Sequence, residues 1–204
     1  MTNLPLIPEA PVNPPQAGVV VLGRFQPLHN GHKIMIQAAD SYRNENHPNS
    51  DLIISIGSAN QPQNLRNPWT YEEREEMLSS WLDSSGINCY KICSIPDIED
   101  PPKWVKHAEK YHGTSGILLT SDLSTSELYV ASGWNVVMLA LSDRERLEGW
   151  RVRETARMLS TIQDEEAIRE VLGSLVPETV IEYLISTGGL HRLAFMGEGG
   201  EPVG

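Results

Sequence analysis

Long apolar runs are missing from this chain of 204 residues. Nothing in it approaches the roughly 20 consecutive apolar residues that cross a bilayer, so no membrane association is expected. The start of the chain lacks a basic region followed by an apolar one, which argues against a secretory signal. Cysteine is scarce: Cys89 and Cys93 are the only two. Their spacing is neither a redox Cys-x-x-Cys nor half of a zinc site with a matching second pair, and they make no disulfide framework. Reduced thiols in a cytoplasmic protein are the expectation. Positive charge is also short, with 16 Lys and Arg against 27 Asp and Glu and a net charge of −11. Such a chain repels phosphate backbones, so it is not read as a general binder of DNA or RNA. A local cluster of arginines therefore carries more information here than it would in a basic protein. Two nucleotide-binding signatures are absent as well: the Gly-x-x-x-x-Gly-Lys-Ser/Thr loop and the Gly-x-Gly-x-x-Gly turn after a strand.

What is present is alternation. Residues 1–17 hold Pro5, Pro8, Pro11, Pro14 and Pro15 and read as a flexible, extended leader. Residues 197–204 read as a loose, glycine-rich tail, and 18–196 as a single domain. Val19–Leu22 is a short run rich in β-branched residues, expected to be a buried strand. Asp51–Gly57, Ile87–Ile95, Ile117–Leu119 and Val136–Leu139 read the same way. Helices are expected over 31–42, over 70–82 with Thr70 and Glu73 as a capping box, over 102–113 and over 124–131. From Trp150 onward the pattern is helical only. The fold class is therefore α/β: a Rossmann-like parallel sheet of about five strands, with helices on both faces and a helical C-terminal part. Such sheets bind ligands at the carboxyl ends of their strands.

The first strand runs straight into Gly23-Arg24-Phe25-Gln26-Pro27-Leu28-His29-Asn30-Gly31-His32. The start of a helix offers free N–H groups and the positive end of its dipole, which favours anions. His29 and His32, three apart, share a side of that helix. Gly31 has no Cβ to hold a phosphate off, and Arg24 adds a third donor. Together they suit a phosphate whose negative charge grows during a reaction. Single histidines such as His47, His112 and His191 are read instead as surface or satisfied core residues. No carboxylate or third histidine lies near the pair in sequence, so no metal site made of protein side chains is expected.

The His-x-Gly-His box after a first strand resembles the nucleotidylyltransferase superfamily, and the longer stretch is similar to the archaeal-type nicotinamide mononucleotide adenylyltransferases. The resemblance runs from about Val19 to Ile185, with gaps. It implies that His29, His32 and Arg24 are catalytic, binding the ATP phosphates and stabilising the transition state, with Gly23, Phe25, Gln26 and Gly31 around the ATP. It extends to Ile56-Gly57-Ser58-Ala59 and to Arg66-Asn67-Pro68-Trp69-Thr70 followed by Glu73-Arg74. There it implies a mononucleotide site with Gly57, Ser58, Arg66 and Asn67, while Glu73 and Arg74 are read as a cap and an ion pair. After the third strand, Asp97 and then Trp104-Val105 match a segment whose tryptophan the family sets against the nicotinamide ring. Stacking and cation–π attraction suit that pairing.

Arg144, Arg146, Arg151, Arg153 and Arg157 gather around Gly149-Trp150. Cations at a helix start oppose its dipole, so either a bound anion or pairing with Glu145, Glu148 and Glu154 must account for them. The family carries Ser-Gly-Thr-Glu-Ile-Arg here, where this chain reads Glu148-Gly149-Trp150-Arg151-Val152-Arg153. The glycine and last arginine match, which implies that Arg153, helped by Arg151, binds ATP. The lost hydroxyls and the acidic Glu148 are departures. The implied reaction transfers AMP from ATP to nicotinamide mononucleotide, giving NAD and pyrophosphate, with Mg²⁺ accompanying ATP. A homo-oligomer is expected. Other acceptors (nicotinate mononucleotide, pantetheine phosphate) or a non-catalytic nucleotide-binding regulator remain alternatives. No Nudix-like box follows, so no fused pyrophosphatase is expected.

Overall fold

The computed structural model describes residues 4–98, 100–140 and 148–197. They gather into two compact units. The first holds the chain up to Arg24, Ile34–Gln61 and the stretch from Ile87 to 140; the second holds Phe25–Lys33, Pro62–Gly86 and the residues from 148 on.

The first unit contains the sheet. Its strands are β1 (Val19–Gly23), β2 (Leu52–Ile56), β3 (Tyr90–Ser94), β4 (Ile117–Thr120) and β5 (Asn135–Met138). All four pairings are parallel and the order is β3-β2-β1-β4-β5. This is the Rossmann-like arrangement expected from the alternation of strands and helices. β1 and β2 are continuous apolar runs because both faces of a parallel sheet are covered; Val19, Val20, Val21, Ile53 and Ile54 are fully buried. Each such side chain contributes about 1.5–3 kcal/mol. The register aligns Gly23 with Ile56 and Ile56 with Ser94, so the carboxyl ends of β1 to β3 lie level. Gly18 sets the entry to β1, since a Cβ there would sit 2.4 Å from the Asp51 carbonyl oxygen. The order reverses between β1 and β4, the switch point where such sheets bind ligands.

Most of α1 (Asn30–Asn46), with α3 (Pro101–His112) and α4 (Leu123–Ala131), accompanies this sheet. Several boundaries differ from the sequence reading, two of them for a reason visible in the local geometry. β3 begins at Tyr90, not Ile87, because Cys89 takes a left-handed φ of 58° that breaks the extended backbone. α1 continues past Tyr42 to Asn46 because Arg43 is buried and anchored. Its guanidinium donates to the Asp40 carboxylate and to the carbonyls of Ser50 and Asn88. The proline-rich leader forms no helix or strand from residue 4 to 17, and hydrogen bonds tie it to this unit at Pro5 and Pro8.

The second unit is helical: α2 (Tyr71–Ser85), α5 (Gly149–Leu159), α6 (Glu165–Leu172), α7 (Glu178–Ser186) and a short 3-10 helix, His191–Phe195. Its core includes Leu28, Trp69, Met77, Leu78, Val152, Ile168, Val180, Ile181 and Leu184. α2 starts with the expected capping box: the Glu73 amide donates to Thr70 Oγ1 and the Thr70 amide to Glu73 Oε2. Glu73 takes Arg192 as its ion-pair partner, while the buried Arg74 donates to the Thr70 carbonyl. No described helix is long and apolar enough to cross a membrane. Arg144, Arg146, Glu145 and residues 198–204 lie outside the described residues.

Candidate active site

In the second unit the turn that leads into α1 is built tightly. Phe25 adopts a left-handed φ of 49°, a conformation that costs a residue with a side chain roughly 1–2 kcal/mol. Its ring is fully buried, and Gln26 beside it is clamped: its side-chain amide donates to the Trp69 carbonyl at 2.8 Å, and its side-chain oxygen accepts from the Trp69 amide at 3.1 Å. Both ends of the Gln26 side chain are thus engaged by backbone. The sequence reading placed Phe25 and Gln26 around ATP; the geometry gives their side chains a supporting part. Asn30 fixes the helix start, its amide donating to the Leu175 carbonyl and its side chain to the Ser174 carbonyl.

That turn sets the two histidines face to face. Their rings stack with centroids 3.7 Å apart and planes at 26°, and Phe25 leans on His32 at 4.6 Å. The His32 backbone amide donates to His29 Nδ1 at 3.4 Å. A nitrogen that accepts carries no proton, so a neutral His29 ring holds its proton on Nε2 and offers it as a donor. Neutrality follows from the surroundings: burial, and then the Arg153 guanidinium, lower the His29 pKa from 6.5 to about 4. Arg153 comes from α5 and donates from Nη1 to the Gln26 carbonyl at 3.0 Å. Gly149 opens the same helix, and a Cβ there would lie 3.2 Å from Arg153 Nη1 and 3.6 Å from His29 Nε2. The glycine lets the helix backbone approach both donors. One cluster therefore presents a neutral imidazole N–H, a second imidazole and a guanidinium beside a helix N-terminus, a setting made for phosphate oxygens.

The depressed pKa makes stability depend on pH. Between pH 6.5 and 4 the unfolded chain binds a proton at His29 that the folded chain refuses. The contribution of His29 is complete above about pH 6.5 and is lost as pH falls, by about 3 kcal/mol at most. Thermal unfolding from pH 7 to pH 4 should show a falling Tm, and His29→Asn should flatten part of that fall. An unchanged slope in the variant would mean that His29 is not buried as a neutral group.

Arg151 behaves differently from Arg153. It is exposed, with its guanidinium 4.6 Å over the Trp150 ring and 3.8 Å from Glu148. The Trp150 indole also donates to Glu148. The acidic departure at Glu148 is thus held by its own neighbours. Arg66 is exposed and its backbone is set by Asn64, which also turns Asn67. Asn67 is buried, and its side-chain oxygen accepts from no donor among the described residues. Gly23, Arg24, Gly57, Ser58 and Trp104 belong to the first unit. Arg24 is exposed just past the end of β1, and Gly57 donates to the Gly23 carbonyl at 2.9 Å. Ser58 has a left-handed φ of 54°. Trp104 is half-buried on α3, 6.3 Å from the Tyr129 ring. Ser94 and Thr120, buried last residues of β3 and β4, stand at the same edge as Gly23. The sequence reading did not name them, although the ends of parallel strands are the place to look.

The cytidylyltransferase-like family pattern matches residues 20–154. The nicotinamide-nucleotide adenylyltransferase of Thermococcus sibiricus is 31% identical over 177 residues, 86% of this chain and 87% of that one. The nicotinamide-nucleotide adenylyltransferase of Picrophilus torridus is 29% identical over 89% of this chain and 98% of its own. Among solved structures, a bifunctional NMN adenylyltransferase/ADP ribose pyrophosphatase from Francisella tularensis, complexed with AMP and a manganese ion, superposes with a TM-score of 0.61 at 23% identity. That match covers 87% of this chain and 52% of that protein, and it concerns the fold. The chain belongs to the cytidylyltransferase-like family and is similar over most of its length to archaeal nicotinamide-nucleotide adenylyltransferases.

Proposed function

We propose that the protein is a nicotinamide-nucleotide adenylyltransferase that joins AMP from ATP to nicotinamide mononucleotide. The observation that carries the reading is the convergence of His29, His32 and Arg153 beside Gly149. The 5′-phosphate of the mononucleotide attacks the α-phosphorus of ATP. The bond to the β-phosphate oxygen breaks, and pyrophosphate leaves with the electron pair. No side-chain nucleophile or general base is required, because the attacking phosphate is already an anion. Catalysis rests on alignment and on donors that meet the charge growing on the α-phosphate. The neutral His29 gives an Nε2–H, Arg153 gives a charged fork, and His32 adds a second imidazole. No group of three His, Cys, Asp or Glu able to hold a metal exists among the described residues. In this reading Mg²⁺ enters with the substrate, bound to ATP phosphates and water. We place the enzyme in the cytoplasm, where its two free cysteines stay reduced.

Incubation with ATP and Mg²⁺ plus, separately, nicotinamide mononucleotide, nicotinate mononucleotide and pantetheine phosphate tests this. NAD and pyrophosphate from the first are expected. A product from only one of the other acceptors would change the substrate, and ATP binding without any product would favour a regulator.

Trp104 decides the pyridine end. If its face meets the ring, Trp104→Ala raises the KM for the mononucleotide and leaves that for ATP nearly alone. The lost contact is worth about 0.5–2 kcal/mol, and Trp104→Phe recovers part of it. A core role alone would instead cost roughly 3–5 kcal/mol of stability and impair both substrates together. Both KM values and Tm, measured side by side, separate the two.

A further inference from the structure

The proline-rich start of the chain has no part in the reaction described so far, yet it is bonded to the side of the first unit that carries Trp104. Three anchors hold it. The Asn60 side-chain amide donates to the Pro5 carbonyl at 3.1 Å. The Tyr111 hydroxyl donates to the Pro8 carbonyl at 3.1 Å. At Gly113, whose φ is 86°, a Cβ would stand 2.2 Å from the Pro15 carbonyl oxygen, so only a glycine lets the strap lie this close. Between the last two anchors, Ala10 packs against Ile95, Ala108 and Tyr111.

Two of the anchors, Asn60 and Tyr111, lead to the same place. Asn60 also donates to the Asp97 carbonyl at 3.0 Å and accepts from the Asp97 amide at 2.8 Å, while Gln61 donates to the Asp97 carboxylate. Asp97 lies in the short connection between β3 and α3, the helix of Trp104. On α3, Trp104, Ala108 and Tyr111 are spaced four and then three apart, so they share one face, and Trp104 packs on the same cluster as Ala10. His107 secures the connection from the helix side, its Nε2 2.9 Å from the Pro96 carbonyl. Burial, and then Glu9 of the strap, push the Tyr111 pKa up, which keeps its hydroxyl a donor. Prolines at five of the positions from 5 to 15 limit the freedom the strap would otherwise lose on docking.

We infer that residues 5–15 are a positioning strap for mononucleotide binding: they fix the Asp97 connection and the Trp104 face of α3 in the geometry that receives the pyridine end of the substrate. The inference rests on the adenylyltransferase reading. The strap touches no reacting atom; it acts through Asp97 and Trp104. Its loss should leave kcat and the KM for ATP within about twofold and raise the KM for nicotinamide mononucleotide by about fivefold or more, the scale of one or two net hydrogen bonds.

Two variants test this in the full enzyme: deletion of residues 2–10, and Tyr111→Phe, which removes a single anchor. Both KM values, kcat and Tm are measured for each. A selective rise in the mononucleotide KM, larger in the deletion than in Tyr111→Phe, is the expected result. An unchanged mononucleotide KM in the deletion overturns the strap while leaving the enzyme reading intact. Parallel losses for both substrates with a lower Tm also overturn it, because the segment would then serve stability alone. Failure of the unaltered chain to make NAD would overturn both.

Discussion

His32→Ala is expected to lower kcat for NAD formation by about 10²-fold or more, the scale on which enzymes lose turnover when one transition-state donor is removed. The KM values should change little, because the interaction strengthens only as charge builds at the α-phosphate. The alanine also removes one member of a stacked pair and the surface on which Phe25 leans, so a modest loss of stability is expected. His32→Asn separates the two effects: it keeps a donor amide of similar reach but cannot restore the aromatic stack. If catalysis depends on the donor, asparagine recovers part of kcat without recovering Tm. If the ring serves only to hold His29 in place, Tm and kcat fall together in both variants. Turnover of His32→Ala at the rate of the unaltered enzyme would remove the histidine pair from the chemistry altogether.

The placement of the pair was legible in sequence because it is set locally: a strand, a tight turn, and two histidines around a glycine within 14 residues, Val19 to His32. The strands were legible for a similar reason. A strand buried on both faces needs an uninterrupted β-branched run, and Val19 to Leu22 or Leu52 to Ile54 can hardly be read otherwise. What the sequence hides is whatever depends on a distant partner. The side chain of Gln26 looks free to meet a ligand until Trp69, 43 residues on, occupies both its ends. Arg43 is a charged residue that ordinarily marks a surface, and its burial follows from the Ser50 and Asn88 carbonyls. The start of β3 was misplaced because no residue type announces that Cys89 turns left-handed. Arg151 and Arg153 look alike along the chain, and only the phase of α5 sends one over Trp150 and the other toward Gln26 and His29. The leader composition suggested a flexible, extended segment. Its bonds to Asn60 and Tyr111, the latter 103 residues from Pro8, are beyond any local pattern.

Arg153→Ala should weaken ATP much more than the mononucleotide. A charge-assisted contact to phosphate is worth about 1.5–3 kcal/mol, so the ATP Kd should rise roughly 10- to 100-fold, with the mononucleotide Kd nearly unchanged. Arg153 has a second part that the same variant exposes. Its charge helps hold the His29 pKa near 4 and its Nη1 donates to the Gln26 carbonyl. Removing it should therefore raise the His29 pKa, visible in the titration of that ring by NMR, and loosen the turn that carries both histidines. Arg153→Lys keeps the positive charge but loses the planar fork. It should hold the His29 pKa down while binding ATP at an intermediate strength, because lysine meets a phosphate as a point charge. The two readouts then diverge: the imidazole follows charge, and ATP affinity follows the fork. Equal ATP affinity in Arg153→Ala and the unaltered protein, together with a lower Tm, would instead make Arg153 a brace for Gln26. The phosphate would then have to be held by His29 and His32 without a guanidinium from α5.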